Sequence, residues 1–320
     1  AHERVPAQPA PPSSRSLLPR CARSTSLAAA ASCMGGEENG ALATLSPLEN
    51  IGLGVAAGTV EVCLLQPMLY CKNAVQQARP FTLDPRLLYR GLLMSVTNMS
   101  VLTGAQFPLT AAVSKAITLG ESRKLSAAEQ VGAGFAGGAL SGVVCAPMEL
   151  VMIQQQRSGG SLLGTAGRVV REHGAGTLFR GLVTSCGREG LFTAGYLGLA
   201  PVLAEQIRQE MGVGGKLGSF LGACCAGVLA ATLSHPLDTI KTCLQGDVAQ
   251  DKYKSMPETY RALMQEGGVG RFFTGWSWRT GRMICAIFVM GQCKDRLAPL
   301  FYPHRFKREQ QRAWSTPKVR

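Results

Sequence analysis

Three closely similar segments, each centred on a proline, limit what this 320-residue chain can fold into more than any other feature. They are Gln66-Pro67-Met68-Leu69-Tyr70-Cys71-Lys72, Ala146-Pro147-Met148-Glu149-Leu150-Val151-Met152 and His235-Pro236-Leu237-Asp238-Thr239-Ile240-Lys241. The prolines are 80 and 89 residues apart, and nine residues after each stands a glutamine: Gln76, Gln156 and Gln245. Farther on come Tyr89-Arg90-Gly91, Phe179-Arg180-Gly181 and Phe273-Thr274-Gly275. Upstream of each proline lies a glycine set: Gly52, Gly54 and Gly58; Gly132, Gly134 and Gly138; Gly218, Gly222 and Gly227. A period of this kind marks one supersecondary unit used three times. The glycine spacing lets helices approach closely in lipid.

The stretches around these segments are long and nearly uncharged. Nothing is charged between Arg90 and Lys115, between Glu129 and Glu149, or between Lys216 and Asp238. About 20 such residues cross ~30 Å of hydrocarbon as a helix. Three further stretches carry isolated charges: Glu61, the pair Arg188-Glu189, and Arg279 with Arg282. Ionisable groups inside a membrane are costly and face a water-filled interior. The mean hydropathy is only +0.11, low for helices that merely face lipid, and six helices around a wet centre account for it.

Several classes are excluded. With 46% apolar and 17% charged residues, the chain is not a disordered one. The eleven cysteines include no C-x-x-C and only Cys224-Cys225 are adjacent, so they are expected to be reduced, small packing residues. No two of the four histidines have ligand spacing, so neither a metal nor a cofactor is expected. There is no glycine-rich phosphate loop and no Ser-His-Asp set, which argues against an enzyme. The net charge is +13, and six basic residues crowd the last 18, Arg305 to Arg320, against Glu309 alone. That tail suits anionic lipid heads; without a recognition motif, nucleic acid is not an expected partner. Residues 1–47 carry Arg4, Arg15, Arg20 and Arg23 among many Ser, Ala and Pro. They read either as a transit-like or disordered leader or, with Met34 as the true start, as untranslated sequence.

The repeated pattern resembles the mitochondrial carrier family, whose signature Pro-x-(Asp/Glu)-x-x-(Lys/Arg) occurs three times with a downstream glutamine and an aromatic-x-Gly. The resemblance covers residues 48–302. It implies an all-α membrane protein: six transmembrane helices in three pseudo-symmetric two-helix repeats around a central cavity, with short matrix-side surface helices. The repeats would be 48–123, 124–212 and 213–302, followed by the basic tail 303–320. Glu172-His173-Gly174 and Glu266-Gly267-Gly268 would end surface helices, while the first repeat lacks that acidic turn.

The resemblance also implies a gate and a solute site. Pro67, Pro147 and Pro236 would each bend an odd-numbered helix and draw the helix ends together on the matrix side. Glu149 would pair with Lys241 and Asp238 with Lys72. The remaining junction would join Leu69 to Met152, both charges being lost together. Gln76, Gln156 and Gln245 would brace this ring. At the opposite mouth only Asp295 keeps an acid; Ala111, Pro201, Ser114, Ala204 and Ala298 are uncharged, so a cavity open to the cytosolic side is expected at rest. Seven residues beyond the repeat glycines are Asn98, Arg188 and Arg282. There the Arg188-Glu189 pair would take a solute carboxylate and ammonium, with Arg282, Asn98 and Glu61 contributing. An amino acid or related zwitterion or cation is the leading solute class. Di-, tri- or oxo-carboxylates are the alternative, and a carrier-like adaptor without transport is a third reading. The implied setting is a monomer in the mitochondrial inner membrane, with a small-molecule solute and anionic lipid as partners.

Overall fold

The computed structural model describes residues 45–304 apart from 81, 120, 122, 124, 200–202, 204, 205, 208 and 211–214. The leader before residue 45, nearly all of the basic tail, and Pro201 and Ala204 lie outside the described residues. The described residues contain helices and no strand. In chain order the helices are α1 (Pro47–Gln76), the short α2 (Pro85–Leu88), α3 (Leu92–Ile117), α4 (Ala127–Ser158), α5 (Leu162–His173), α6 (Leu182–Thr193), α7 (Gly215–Gly246), α8 (Met256–Phe272) and α9 (Trp276–Phe301). A 3-10 turn, Ala175–Phe179, leads into α6, and a π-helical stretch, Ala194–Leu199, continues it.

The sequence starts and ends these helices by recurring devices. α1 and α4 each open on a capping box. In α1 Ser46 Oγ accepts from Glu49 N–H, and the Glu49 carboxylate accepts from Ser46 N–H at 2.6 Å. Ser126 and Glu129 do the same for α4. Two otherwise orphaned backbone donors are thereby satisfied. The glycines of the aromatic-x-Gly motifs cap α3, α6 and α9, with φ of 77° at Gly91, 75° at Gly181 and 83° at Gly275. A side chain there would be strained. Each also presses on the next repeat: an added Cβ would meet Gln156 Cγ, Gln245 Cγ and Gln76 Cγ respectively, at 3.4–3.5 Å. The repeats are thus locked head to tail in a cycle.

The six long helices form a closed ring in the order α1, α3, α4, α6, α7, α9 and back to α1. α4 packs closely on both neighbours, with Gly137 against Thr110 of α3 and Gly138 and Gly142 against α6. A Cβ at Gly138 would sit 2.5 Å from Glu189 O, and one at Gly142 would sit 2.8 Å from Cys186 Cα. Three helical segments are long and apolar enough to cross a bilayer: Leu48–Gln76, Ala128–Ser158 and Phe220–Gly246. These are the helices that carry the repeated prolines Pro67, Pro147 and Pro236. Length and apolarity therefore mark three of the six expected spans. Of the other three, α3 interrupts its apolar run with Asn98, Thr103 and Gln106 and α9 with Arg279 and Arg282, all of which line the interior, and α6 is a short helix continued by the π-helical stretch.

Around one end of the ring lie the shorter helices. α5 buries Thr165 and Val169, exposes Leu163, and stops at Gly174 (φ 85°). α8 packs Leu263 and Phe272 on Ile240, Cys243, Leu244 and Tyr253, and breaks at Gly267 and Gly268. The first repeat has just the four-residue α2, capped by Asp84. The nine described cysteines are free.

Candidate functional site

In α1, α4 and α7 the positions two and five residues past the proline are three apart, so they share one helix face. The ring turns those faces inward. Lys72 Nζ lies 2.7 Å from Asp238 Oδ2, and Lys241 Nζ lies 2.8 Å from Glu149 Oε1. All four side chains are buried. At the third junction Leu69 packs against a buried cluster containing Met152, Met94, Val151 and Ile153, and Ser95 Oγ donates to Met152 Sδ at 3.1 Å.

Two arginines from the other helices enter this layer. Arg188 Nη2 lies 2.6 Å from Glu149 Oε1 and also binds Glu189, while its Nε is 3.7 Å from Asp238 Oδ1. Arg279 Nη1 is 3.0 Å from Asp238 Oδ2, and its Nη2 donates to Ser234 Oγ at 2.7 Å. Each ring acid therefore holds one lysine and at least one arginine. Buried ions need such multiple partners to offset their lost hydration. Arg279 was missed as a site residue by sequence reasoning. It stands four residues after Gly275 and one turn before Arg282, which puts both arginines on one helix face; that spacing was the available signal.

Beneath the ions, each glutamine crosses the junction that its repeat shares with a neighbour. Gln76 Nε2 donates to Asp238 Oδ2 at 2.9 Å and to Thr239 Oγ1 at 3.2 Å. Gln156 Oε1 accepts from Asn73 Nδ2 at 2.7 Å. Gln245 Nε2 donates to Ala146 O at 3.3 Å and to Arg180 O at 3.4 Å. Of the three, Gln76 alone touches an ion of the ring. Gln156 lies under the apolar junction, where no ion is within reach, and Asn73 serves it instead.

Above the ring is a cavity of about 260 Å3 whose floor is the ring itself. Its wall carries the sequence-singled residues Glu61, Asn98, Arg188, Glu189 and Arg282. Arg282 Nη2 lies 2.8 Å from Glu61 Oε1, joining α9 to α1 across the interior. Glu61 and Glu189 are buried, and Asn98 Oδ1 is buried without a hydrogen-bond partner. The carboxylate-gripping role expected of Arg188 meets a complication: its guanidinium already sits on Glu149 of the ring as well as on Glu189. An arginine's five donors and long stem reach both levels at once. Five basic and four acidic side chains line the cavity, leaving one positive charge in excess. At the opposite mouth Ala111, Ser114 and Ala298 are buried.

Residues 123–210 and 215–304, together more than half of the chain, match the family model described as mitochondrial carrier protein. The chain belongs to the mitochondrial carrier family. It is a transport protein of mitochondrial membranes, not an enzyme, and its solutes are small metabolites. Among similar carriers is the mitochondrial carnitine carrier of Saccharomyces cerevisiae, 27% identical over 209 residues, spanning 61% of this chain and 63% of that protein. The mitochondrial glycine transporter of Aspergillus niger is 26% identical over 266 residues, covering 72% of this chain and 82% of that one. The mitochondrial citrate transporter B of Aspergillus niger is 27% identical over 272 residues, covering 78% and 92%.

Proposed function

We propose that this carrier moves an amino acid or related zwitterion across the mitochondrial inner membrane by alternating access. The observation that carries this reading is the Arg282–Glu61 pair bridging the cavity at 2.8 Å beside the Arg188–Glu189 pair. A zwitterion can replace both halves of such a bridge. Its carboxylate takes the guanidinium fork of Arg282 and its ammonium takes Glu61 or Glu189. The relatives named for carnitine and glycine carry solutes of this type.

The six ring helices span the bilayer as three two-helix repeats, 48–123, 124–212 and 213–302, in a monomer. Both termini face the cytosol, and anionic lipid contacts the matrix-side helices and the basic tail. The Lys72–Asp238 and Lys241–Glu149 bridges, with the Leu69–Met152 contact, close the matrix side, and the cavity fills from the cytosol at rest. Pro67, Pro147 and Pro236 are the bends about which the gate closes, and Gln76, Gln156 and Gln245 brace it. Arg188 connects site to gate. A solute carboxylate that draws it from Glu149 leaves Lys241 as that acid's main partner and loosens the ring, so binding energy is spent on opening.

The excess positive charge of the cavity favours a second reading, a di- or tricarboxylate, and the citrate transporter relative has that kind of solute in its name. Uptake into liposomes of glycine, carnitine, lysine, citrate and 2-oxoglutarate separates the two. On the zwitterion reading Glu61→Gln and Glu189→Gln impair uptake of the amino compounds as severely as Arg282→Ala does. Uptake confined to citrate and 2-oxoglutarate, and indifferent to the Glu→Gln changes, gives the site to carboxylates. Cysteine labelling from the two sides tests the resting orientation, and preferential access from the matrix side would refute it.

A further inference from the structure

A second cavity, of about 300 Å3, lies on the other side of the gate from the first, and the two share no lining residue. Chain order fixes its level. Arg79 follows Lys72 and Gln76 past the end of α1; Arg157 follows Met152 and Gln156 on α4; Val248 follows Lys241 and Gln245 past the end of α7. Helix α5 adds Arg168, Glu172 and His173. The cavity thus gathers three guanidinium groups from three separate elements.

These arginines differ from those of the gate in having no acid. Arg157 Nη1 donates to the amide oxygen of Gln77 at 3.0 Å, and Arg168 Nη2 donates to Ser158 Oγ. Among the described residues none of Arg79, Arg157 and Arg168 has a carboxylate within ion-pair distance. Glu172, the one carboxylate among the lining residues, is exposed and lies 4.0 Å from His173. The nearby Asp247 carboxylate is occupied by the backbone N–H groups of Asp251, Lys252 and Tyr253, at 2.7–3.2 Å. Attraction to the carbonyl ends of helices accounts for Arg157 in the last turn of α4 and for Arg79 just past α1. It does not account for Arg168, in the middle of α5, converging with them on one hollow, where the three cations repel one another unless an anion sits between them.

We infer that this cavity binds a multiply charged phosphoryl anion and that its occupant holds the gate closed. A carboxylate brings one negative charge to three cations, whereas a phosphoryl group brings up to two charges and three acceptor oxygens and so can bridge and neutralise several arginines. Arg79 hangs from the end of α1 and Arg157 from α4, already tied by the Arg157–Gln77 bond. Gln154 Nε2 ties α4 to the end of α7 through Gln245 O at 2.7 Å and Gly246 O at 3.2 Å. An anion clasped by these arginines pins helix ends that must part when the gate opens. This consequence for gating rests on the alternating-access reading above; the binding itself does not.

The test is binding of inorganic pyrophosphate to the full-length purified protein, followed through its thermal unfolding midpoint at constant ionic strength. The expected result is a saturable rise in the midpoint, with the apparent affinity about tenfold or more weaker in Arg79→Gln and in Arg157→Gln. The rise is expected to persist in Arg282→Ala, which alters the central cavity alone. Arg157→Lys, which keeps the charge and guards against a folding defect, should bind with intermediate affinity. A rise matched by sodium chloride, or one kept in Arg79→Gln and lost in Arg282→Ala, overturns the inference. Phosphatidylcholine vesicles with and without cardiolipin separate the sources. An arginine-dependent rise given by cardiolipin assigns the phosphoryl groups to a lipid head, and one given by pyrophosphate in cardiolipin-free vesicles assigns them to a soluble anion. Pyrophosphate enclosed on the matrix side should slow uptake several-fold in the wild type and not in Arg79→Gln; equal slowing in both removes the gating role.

Discussion

The layer of ions and apolar contacts proposed as the gate has two kinds of junction between its helices. Where α4 meets α7 and where α7 meets α1, buried acids face lysines, and Arg188 and Arg279 come from α6 and α9 to share those acids. Where α1 meets α4 both charges are absent, and Leu69 and Met152 pack with Met94 and Ser95 instead. A buried ion pair is a poor source of net stability, because desolvation consumes most of the attraction. It is, however, sensitive to a competing ion in a way that an apolar contact is not. On the proposed function, the charged junctions are the ones a solute would loosen, while the apolar one would not respond to its charge.

Breaking a charged junction should have the largest effect. Asp238→Asn leaves Lys72 and Arg279 without their acid, and the cost should be about 3–5 kcal/mol, seen as a large fall in the unfolding midpoint together with loss of gated uptake. Next come the changes in the cavity. Arg282→Ala should reduce uptake by at least tenfold, since the solute loses a charge-assisted bond, and should lower the midpoint less than Asp238→Asn does, since it strands one buried carboxylate, Glu61, rather than two buried cations. An unchanged uptake rate would remove Arg282 from the site.

Converting the apolar junction into the other kind sharpens the comparison. Leu69→Glu and Met152→Lys should each destabilise, because each buries a lone charge. The double variant should recover a coupling energy of about 1–3 kcal/mol and slow transport by adding a third bridge. Additive losses would mean that the two side chains do not meet across the closed gate.

The smallest effect belongs to ions outside the ring. On α8, Glu266 accepts from Lys252 Nζ at 2.8 Å, Arg271 Nε at 2.9 Å and Tyr253 Oη at 2.9 Å. Partial burial opposes its ionisation, but these three donors outweigh it and hold the carboxyl below its ordinary range. A depressed carboxyl stabilises the fold above the unfolded-state value of about 4.3 and loses that contribution as pH falls through the folded value. Glu266→Gln should cost under about 1 kcal/mol at neutral pH, and the difference from wild type should vanish as the pH is lowered below 4.3. A difference that persisted in acid would show that the change acts by some route other than charge.

Much of this was legible in the chain. The period of the prolines and the three aromatic-x-Gly motifs correspond to a closed ring with three left-handed caps, because a positive φ demands glycine wherever it recurs. The acids and bases two and five positions past each proline could be matched in register, because the helix places them on one face. The spans were not equally legible. α3 showed as the uncharged stretch between Arg90 and Lys115, whereas α6 and α9 carry Arg188, Glu189, Arg279 and Arg282 and lack the apolar length that marks α1, α4 and α7. The second partners of the gate ions were harder still: nothing local in Trp276-Ser277-Trp278-Arg279 says that its guanidinium will reach Asp238.

Sequence alone determined the repeat, the caps and the inventory of charges, since these follow from backbone stereochemistry and helical periodicity. Tertiary structure decided which charges share a partner. A guanidinium on a flexible stem can reach acids at several levels, and the choice depends on how closely α6 and α9 approach the ring, a distance set by packing at Gly138 and Gly142 and by closure of all six helices together.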